Sequence, residues 1–308
     1  MKVTVKIPAT TANLGPGFDS FGMALPFYDY ITVEETVMPG SGIQIELVDY
    51  DEDILNSIPT DENNIVYKAI ELLYNFIGQT PEELKITIKS GIPMTRGLGS
   101  SAAVIVGGLI AANELLGHPA DLDALLSIAA EMEGHPDNVA PAILGGFVMA
   151  SLEDDGSVIY RQIEWPKEWK ITVCVPDYEL ATNISRSVLP QEIPQKDAIF
   201  NLKRSAMLIH ALDTKDDKLM KAALKDKIHQ PYRTKLVPGL NEIIESLKNE
   251  EDVLGTVLSG AGPAILVISK GNDLNKIYNT IEEIWTNLNV KVDIYTVEPE
   301  LKGASIIE

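Results

Sequence analysis

The sequence predicts an α+β chain in two units, the second of them a ferredoxin-like sandwich. Three observations carry this. After Pro166 the segments run strand, helices, two strands, helix, strand, which is the order of that sandwich. Before it, runs that alternate with period two are interspersed with runs of helical spacing. Between them "EWPKEWK" combines Trp-Pro with mixed charge, which marks a junction. The 308 residues suffice for one large domain or two ordinary ones, and the boundary near Pro166 divides them into 1–165 and 166–308.

In chain order, Lys2–Ile7 alternates and is a strand, and "PATTANLGPGFDSFGMAL", dense in turn formers, starts as a loop. "YDYITVEE" is the next strand, and "NNIVYKAIELLYNFIG" has helical spacing that stops at Gly78. Leu84–Ser90 is a strand. The glycine-rich "PMTRGLGSSAA", Pro93–Ala103, then opens a helix from about Ser100 to Leu116, stopped by Gly117 with Pro119 beyond. "DLDALLSIAAEME" is a second helix. It leads to "GHPDNVAPAILGG", a glycine- and proline-rich turn, and to the strand "FVMASL". Past the junction come the strand "ITVCVP" and helices near Ala198–Leu212, Asp216–Lys227 and Leu240–Asn249. "VLGTVLSG" and "AILVIS" pair around a glycine loop, and the helix "DLNKIYNTIEEIWTNL" and the strand "VKVDIYTV" follow.

Composition narrows the function. A net charge of -20 repels nucleic acid and anionic lipid, so neither a nucleic acid nor a membrane is expected as partner. An anionic ligand would need positive potential built for it locally. The single cysteine, Cys174, sits in an apolar strand run, permits no intrachain disulfide and fits a reducing cytoplasm. The N-terminus lacks the apolar stretch of a signal peptide, and the greasiest run, near Ala102–Ala112, falls short of the roughly 20 residues of a membrane span. A soluble, cytoplasmic protein is expected.

The chemistry concentrates at the glycine-rich stretch. A helix start leaves N–H donors unpaired and carries partial positive charge, and glycines before it let a phosphate approach. No lysine stands where a Walker A loop demands one. The dinucleotide pattern fits Gly97, Gly99 and Ala102, but "GIPMTR" separates it from the strand end where it should begin. By itself the stretch fits either a phosphate site or a helix that needs small residues to pack, and Gly107 and Gly108 favour close packing in both cases. Arg96 and Lys89 flank the loop and are candidates to face an anion. Glu131, late in the next helix and before His135, Asp137 and Asn138, is the candidate carboxylate. Facing the Ser101 hydroxyl across a phosphate, it would complete a Mg²⁺ site. "LSGAGPA", Leu258–Ala264, is longer than a tight hairpin turn and is a candidate to close over the same phosphates.

"PATTANLGPGFDSFGMAL", "PMTRGLGSSAA" and "LSGAGPA" together resemble the three motifs of the GHMP kinases, over essentially the whole chain. "HPDNVAPA", "YRTKLVPG" and "ATNISRSVLP" resemble the family's homoserine kinase branch in particular. The resemblance implies a ribosomal-protein-S5-like N-terminal ATP-binding half, a ferredoxin-like C-terminal half, ATP and Mg²⁺ as cofactors, and a homodimer. It implies transfer of the ATP γ-phosphoryl to the side-chain hydroxyl of L-homoserine, feeding threonine biosynthesis. Nucleotide contacts would come from Asn64 (with Asn63 as substitute), Pro93, Arg96, Gly97, Leu98, Gly99, Ser100, Ser101, Ala102 and Ala103. The metal would lie on Ser101 and Glu131. Arg186 and Arg233 would hold the substrate carboxylate, to which a planar guanidinium fork is matched. Asp19 would face the ammonium, and Thr10, Asn13, His135, Asn138, Thr182 and Gly260 would add contacts. Asn138 occupies the position where several relatives carry a catalytic aspartate, so no dedicated carboxylate base is expected. Phosphoryl transfer can proceed on positioning and charge neutralisation. The alternatives are a family member acting on a mevalonate-type alcohol and a non-catalytic descendant that binds ligand without turnover.

Overall fold

Period-two alternation with one face apolar makes strands that must be covered, and two sheets result in the computed structural model, which describes residues 1–35, 40–50, 52–81 and 83–308. The first half contributes β1 (Lys2–Ala12), β2 (Phe21–Glu35), β3 (Ile43–Val48), α1 (Glu52–Leu55), α2 (Ile65–Phe76) and β4 (Leu84–Lys89). It continues with α3 (Ser100–Leu115), α4 (Leu122–Glu133), α5 (Pro136–Leu144), β5 (Phe147–Leu152) and β6 (Val158–Ile163). The second half contributes β7 (Lys170–Pro176), α6 (Thr182–Ser187), α7 (Gln195–Thr214), α8 (Asp217–Ala223), α9 (Gln230–Arg233) and α10 (Leu240–Leu247). It ends with β8 (Val253–Leu258), β9 (Ile265–Ser269), α11 (Asn275–Asn287), β10 (Val292–Val297) and β11 (Ser305–Ile306).

Among the described residues one sheet runs β11-β1-β2-β4-β3, with β5 on β2 and β6 on β5. The β3–β4 pair is parallel, with α2 in the connection; the other pairs are antiparallel. The second sheet, β10-β7-β9-β8, is antiparallel throughout and has the ferredoxin-like strand order. Its covering helices bury Trp285, Ile281, Leu240 and Ile243 against it. In the first half α3 crosses β1 and β2 at close range. A Cβ on Gly107 would meet Ile31 Cγ1 at 2.5 Å and Ile7 Cδ1 at 2.8 Å. The helix thus accepts a glycine, at about 1 kcal/mol relative to alanine, in exchange for contact with the sheet.

Four sequence expectations change. The turn-forming "PATTA" belongs to β1, with an irregular register at Pro8/Ala9. Pro8 lies beyond the two residues that pair with β11, so it removes no donor from that ladder. "GHPDNVAPAIL" is largely helix: His135 is the N-cap of α5, and Pro136 takes the first helical position, where no N–H partner is lost. β3, β6 and α6 come from segments to which no element was assigned. Finally, the chain crosses back at its end: β11 pairs with β1, Val5 opposite Ile306, so the final residues complete the first sheet. No described helix is long and apolar enough to cross a membrane.

Candidate active site

A cavity of about 400 Å³ opens between the two halves, at the start of α3. The local sequence dictates its shape. Gly97 and Gly99 take φ of +76° and +69°, which glycine alone adopts without strain. A Cβ at Gly99 would fall 2.0 Å from Thr10 Oγ1, and one at Gly97 would fall 2.3 Å from the Ser259 carbonyl oxygen. Gly99 caps α3 without any side-chain hydrogen bond, so the amides of the first turn are left for a ligand. The 258–264 loop buttresses this turn from the second half. Ser259 Oγ donates to the Gly97 carbonyl (2.6 Å), and the Ala264 amide donates to the Arg96 carbonyl (3.0 Å). Gly260 lines the cavity beside them.

Ser101 faces a carboxylate, but of a different residue from the expected one. Its hydroxyl donates to Glu133 Oε2 at 2.8 Å. Glu131 is exposed on another face of α4, its carboxylate beside Gly156 of the β5–β6 turn, and is absent from the cavity wall. Two residues along a helix turn the side chain by about 200°, so only one of the two glutamates can face the site. Burial raises the Glu133 pKa; the Ser101 hydrogen bond and the charge of His135 offset this in part. One hydroxyl and one carboxylate, both hard oxygen donors at a helix start, suit Mg²⁺, whose shell phosphate oxygens and waters complete. A second acidic group, Asp19, His135 and Asp137, is internally satisfied by Arg186 and by the His–Asp contact.

Other expected nucleotide contacts divide. Asn64, Gly97, Leu98, Gly99, Ser100 and Ser101 line the cavity. Asn64, however, spends its side chain on the backbone: Oδ1 accepts from the Val66 amide (2.9 Å) and Nδ2 donates to the Pro59 carbonyl (2.7 Å), capping α2. Asn63 lines the wall next to it. Pro93 is exposed and off the wall, and Ala102 and Ala103 are buried in the core under α3, where their small size allows packing. Arg96 does not face the cavity: it donates to the Asp177 carbonyl (3.1 Å) and pairs with Glu179 (3.6 Å), tying the loop to the second half. Lys89 pairs with Asp49 on the surface. The flanking cations therefore brace the site from outside.

The positive charge inside comes from two arginines. Arg186, on α6, makes a two-point ion pair with Asp19 (2.8 and 3.2 Å). Asp19 and Asn13 lie in a loop with φ of +56° and +71°, held because Asn13 Oδ1 accepts the Asp19 amide and its Nδ2 donates to the Gly260 carbonyl. Arg233 is 2% exposed yet lines the cavity. It donates to the carbonyls of Gly260 (2.9 Å) and Ser185 (3.2 Å), and Nη2 has no protein partner among the described residues. Burial, then the charge of Arg186, lowers its pKa to about 10, so it stays a cation at neutral pH.

Behind them lies a layer that the sequence did not reveal. Phe18 faces both guanidinium groups (5.6 and 5.4 Å) and stacks on buried His229. Burial lowers the His229 pKa and keeps it neutral, so Nε2–H donates to the Gly15 carbonyl (2.7 Å). Asp226 accepts the amides of Ile228, His229 and Gln230 at the start of α9, which fixes the helix that carries Arg233. Phe18 lies within the first quoted motif, but nothing in the sequence pointed to His229 or Asp226.

At the fourth wall His135 donates from Nδ1 to Asp137 Oδ1 at 2.5 Å. Burial opposes its charged form, but the hydrogen bond and charge of Asp137, then the charge of Glu133, outweigh it and raise the His135 pKa. Asn138 Oδ1 accepts from Thr10 Oγ1 at 2.9 Å; Asn138 lines the cavity, and Thr10 is buried behind it. Thr182, at the start of α6, completes the rim.

Comparison with known proteins matches residues 64–146 to the N-terminal domain of the GHMP kinases and residues 208–287 to their C-terminal domain. The chain is similar to homoserine kinase of Carboxydothermus hydrogenoformans, 42% identical over 302 residues that cover 98% of this chain and 96% of that one. A solved homoserine kinase from Cytophaga hutchinsonii superposes with a TM-score of 0.88 at 28% identity, covering 99% and 97% of the two chains. Mevalonate kinase of Methanococcus jannaschii, at 17% identity and a TM-score of 0.67 over 99% and 98%, shares the fold.

Proposed function

The chain belongs to the GHMP kinase family, and on that premise we propose that it transfers the γ-phosphoryl group of ATP to the side-chain hydroxyl of L-homoserine. O-phospho-L-homoserine and ADP are the products, and the reaction serves threonine biosynthesis. The observation that carries the reading is the pairing, in one cavity, of an uncapped glycine-flanked helix start with two arginines and an aspartate.

The triphosphate lies against the first turn of α3, whose amides and positive dipole end meet its oxygens. Ser101 and Glu133 would hold Mg²⁺, which would supply charge neutralisation at the phosphoryl oxygens. Homoserine enters as a zwitterion. Its carboxylate takes Arg233 and a share of Arg186, its ammonium takes Asp19, and the resting Asp19–Arg186 pair opens to accept both. Asn138, Thr182 and His135 orient the hydroxyl end. The hydroxyl oxygen bonds to the γ-phosphorus as the bond to the β–γ bridging oxygen breaks and ADP leaves, the hydroxyl proton passing to the transferred phosphoryl group and from there to solvent. Asp137 is engaged with His135, which supports a reaction without a dedicated carboxylate base. Protonated His135 adds positive charge near the transferring group.

The enzyme is read as a cytoplasmic homodimer, in keeping with its single buried thiol. The deciding experiment incubates purified protein with Mg·ATP and a panel of alcohols that includes homoserine and mevalonate, with products identified by phosphorus NMR. Phosphate on another alcohol and none on homoserine would refute the substrate; ligand binding without turnover would refute the enzyme.

A further inference from the structure

Beyond the α3 start the nucleotide cavity has a mostly apolar recess walled by Ile58, Ile65, Val66, Ile88 and Met94, with Tyr50 beside them. Such a recess suits a planar heterocycle, and an apolar wall by itself cannot distinguish one purine from another. Among the described residues one charged side chain lies on it. Asp29, in the middle of β2, is 2% exposed and still lines the cavity.

Its two oxygens are used unequally. Oδ1 accepts the amides of Gly91 and Ile92 (2.8 and 2.9 Å), fixing the turn after β4. Oδ2 has no partner among the described residues. A carboxylate with one oxygen unmatched in an apolar recess is costly, and burial pushes the Asp29 pKa up to about 6, against the pull of the two amides. At neutral pH the group is therefore still mainly a carboxylate, its Oδ2 an acceptor with no donor among the described residues. Among the described residues no lysine, arginine or histidine lies on this part of the wall to neutralise it.

We propose that Asp29 reads the nucleobase, its free Oδ2 accepting a hydrogen bond from the exocyclic 6-amino group of adenine. This rests on the ATP reading above and adds a specificity residue to it. A purine with a 6-oxo group presents a second acceptor to the carboxylate and is disfavoured, while one without a 6-substituent leaves Oδ2 unpaired. The residue takes no part in phosphoryl transfer, so its effect falls on nucleotide affinity.

The test compares ATP, ITP and purine riboside triphosphate, which lacks the 6-amino group, on the wild-type enzyme and on Asp29→Asn. The asparagine keeps an Oδ1 acceptor for the two amides and places an NH₂ donor where Oδ2 was. On the wild type, KM for purine riboside triphosphate is expected to exceed that for ATP by about tenfold or more, the worth of one hydrogen bond to a charged group. In Asp29→Asn the ratio of KM for ITP to KM for ATP falls by at least about tenfold, with kcat for ATP and KM for homoserine little changed. Equal use of all three nucleotides by the wild type overturns the proposal without touching the kinase reading, since phosphorylation still proceeds. An unchanged ITP-to-ATP ratio in a folded Asp29→Asn enzyme also overturns it, leaving Asp29 as a clamp on the Gly91 turn alone. Failure of every triphosphate to support turnover would instead refute the kinase reading.

Discussion

Glu133→Gln and Glu131→Gln form a matched pair that tests the geometry of the phosphate end. Both remove one negative charge from α4, two residues apart, with almost no change in volume. Glu133 stands 2.8 Å from the Ser101 hydroxyl, whereas Glu131 is exposed beside the β5–β6 turn. At about 4 Å and an effective dielectric of about 20, one unit charge acting on another is worth about 4 kcal/mol. Removing a group of that kind typically costs about 10²–10³ in kcat. Glu133→Gln is expected to lose that much and to need far more Mg²⁺ for half-maximal rate, with KM for homoserine nearly unchanged. Glu131→Gln, a surface change, is expected to stay within about twofold. Stability moves the other way. The Glu133 pKa is raised by burial, so its charged form burdens the folded state at alkaline pH, and that burden shrinks as pH falls below the raised pKa and is gone below the ordinary value of 4.5. The glutamine variant is therefore expected to melt no lower than the wild type at alkaline pH, its advantage shrinking on acidification. Coupled ADP-release kinetics with a Mg²⁺ titration, and thermal melts across pH, make the measurement. Equal losses in the two variants, or a loss confined to Glu131→Gln, would refute the placement.

Arg233→Lys and Arg186→Lys should each raise KM for homoserine by about 10–100-fold while moving KM for ATP little, because a hydrogen bond to a charged group is worth about 1.5–3 kcal/mol; an effect on ATP alone would contradict the assignment. Gly99→Ala should destabilise the fold by at least about 1–2 kcal/mol through its φ of +69° and break the Thr10–Asn138 contact, seen as a lower denaturation midpoint and lost activity; wild-type activity in that variant would sink the cradle. The stability that the His135–Asp137 pair contributes is complete below the ordinary histidine value of 6.5 and is lost as pH rises through the raised pKa, and kcat/KM should fall over the same window. Asp137→Asn should shift that fall to lower pH and leave the acidic plateau within about tenfold, whereas a collapse of several orders of magnitude in a folded, substrate-binding variant would reinstate a carboxylate base.

Local pattern was enough for the strands of the second sheet, for α2, α3 and α4, and for their stop at Gly78, Gly117 and the glycine after Glu133, since period and capping chemistry depend on neighbours in the chain. The family resemblance, rather than local pattern, singled out Asp19, Arg186 and Arg233 beside Ser101, and the structure brings all four to one cavity. What the chain order could not convey was direction. Glu131 and Glu133 are equivalent in composition, and only the rotation of α4 against α3 selects Glu133. Arg96 and Lys89 sit beside the glycine loop in sequence, yet acidic and carbonyl partners from other elements draw both away. "GHPDN" reads as a turn because proline and glycine dominate it, yet it opens a helix, because Pro136 falls at the first helical position, where its missing N–H costs no bond. His229, Asp226 and Asp29 carry no motif that betrays them, and Phe18, though inside the first motif, gives no sign there of the cations it faces. Their roles arise where segments far apart in the chain meet, and burial then decides which charges stay unpaired and which side chains can reach a ligand.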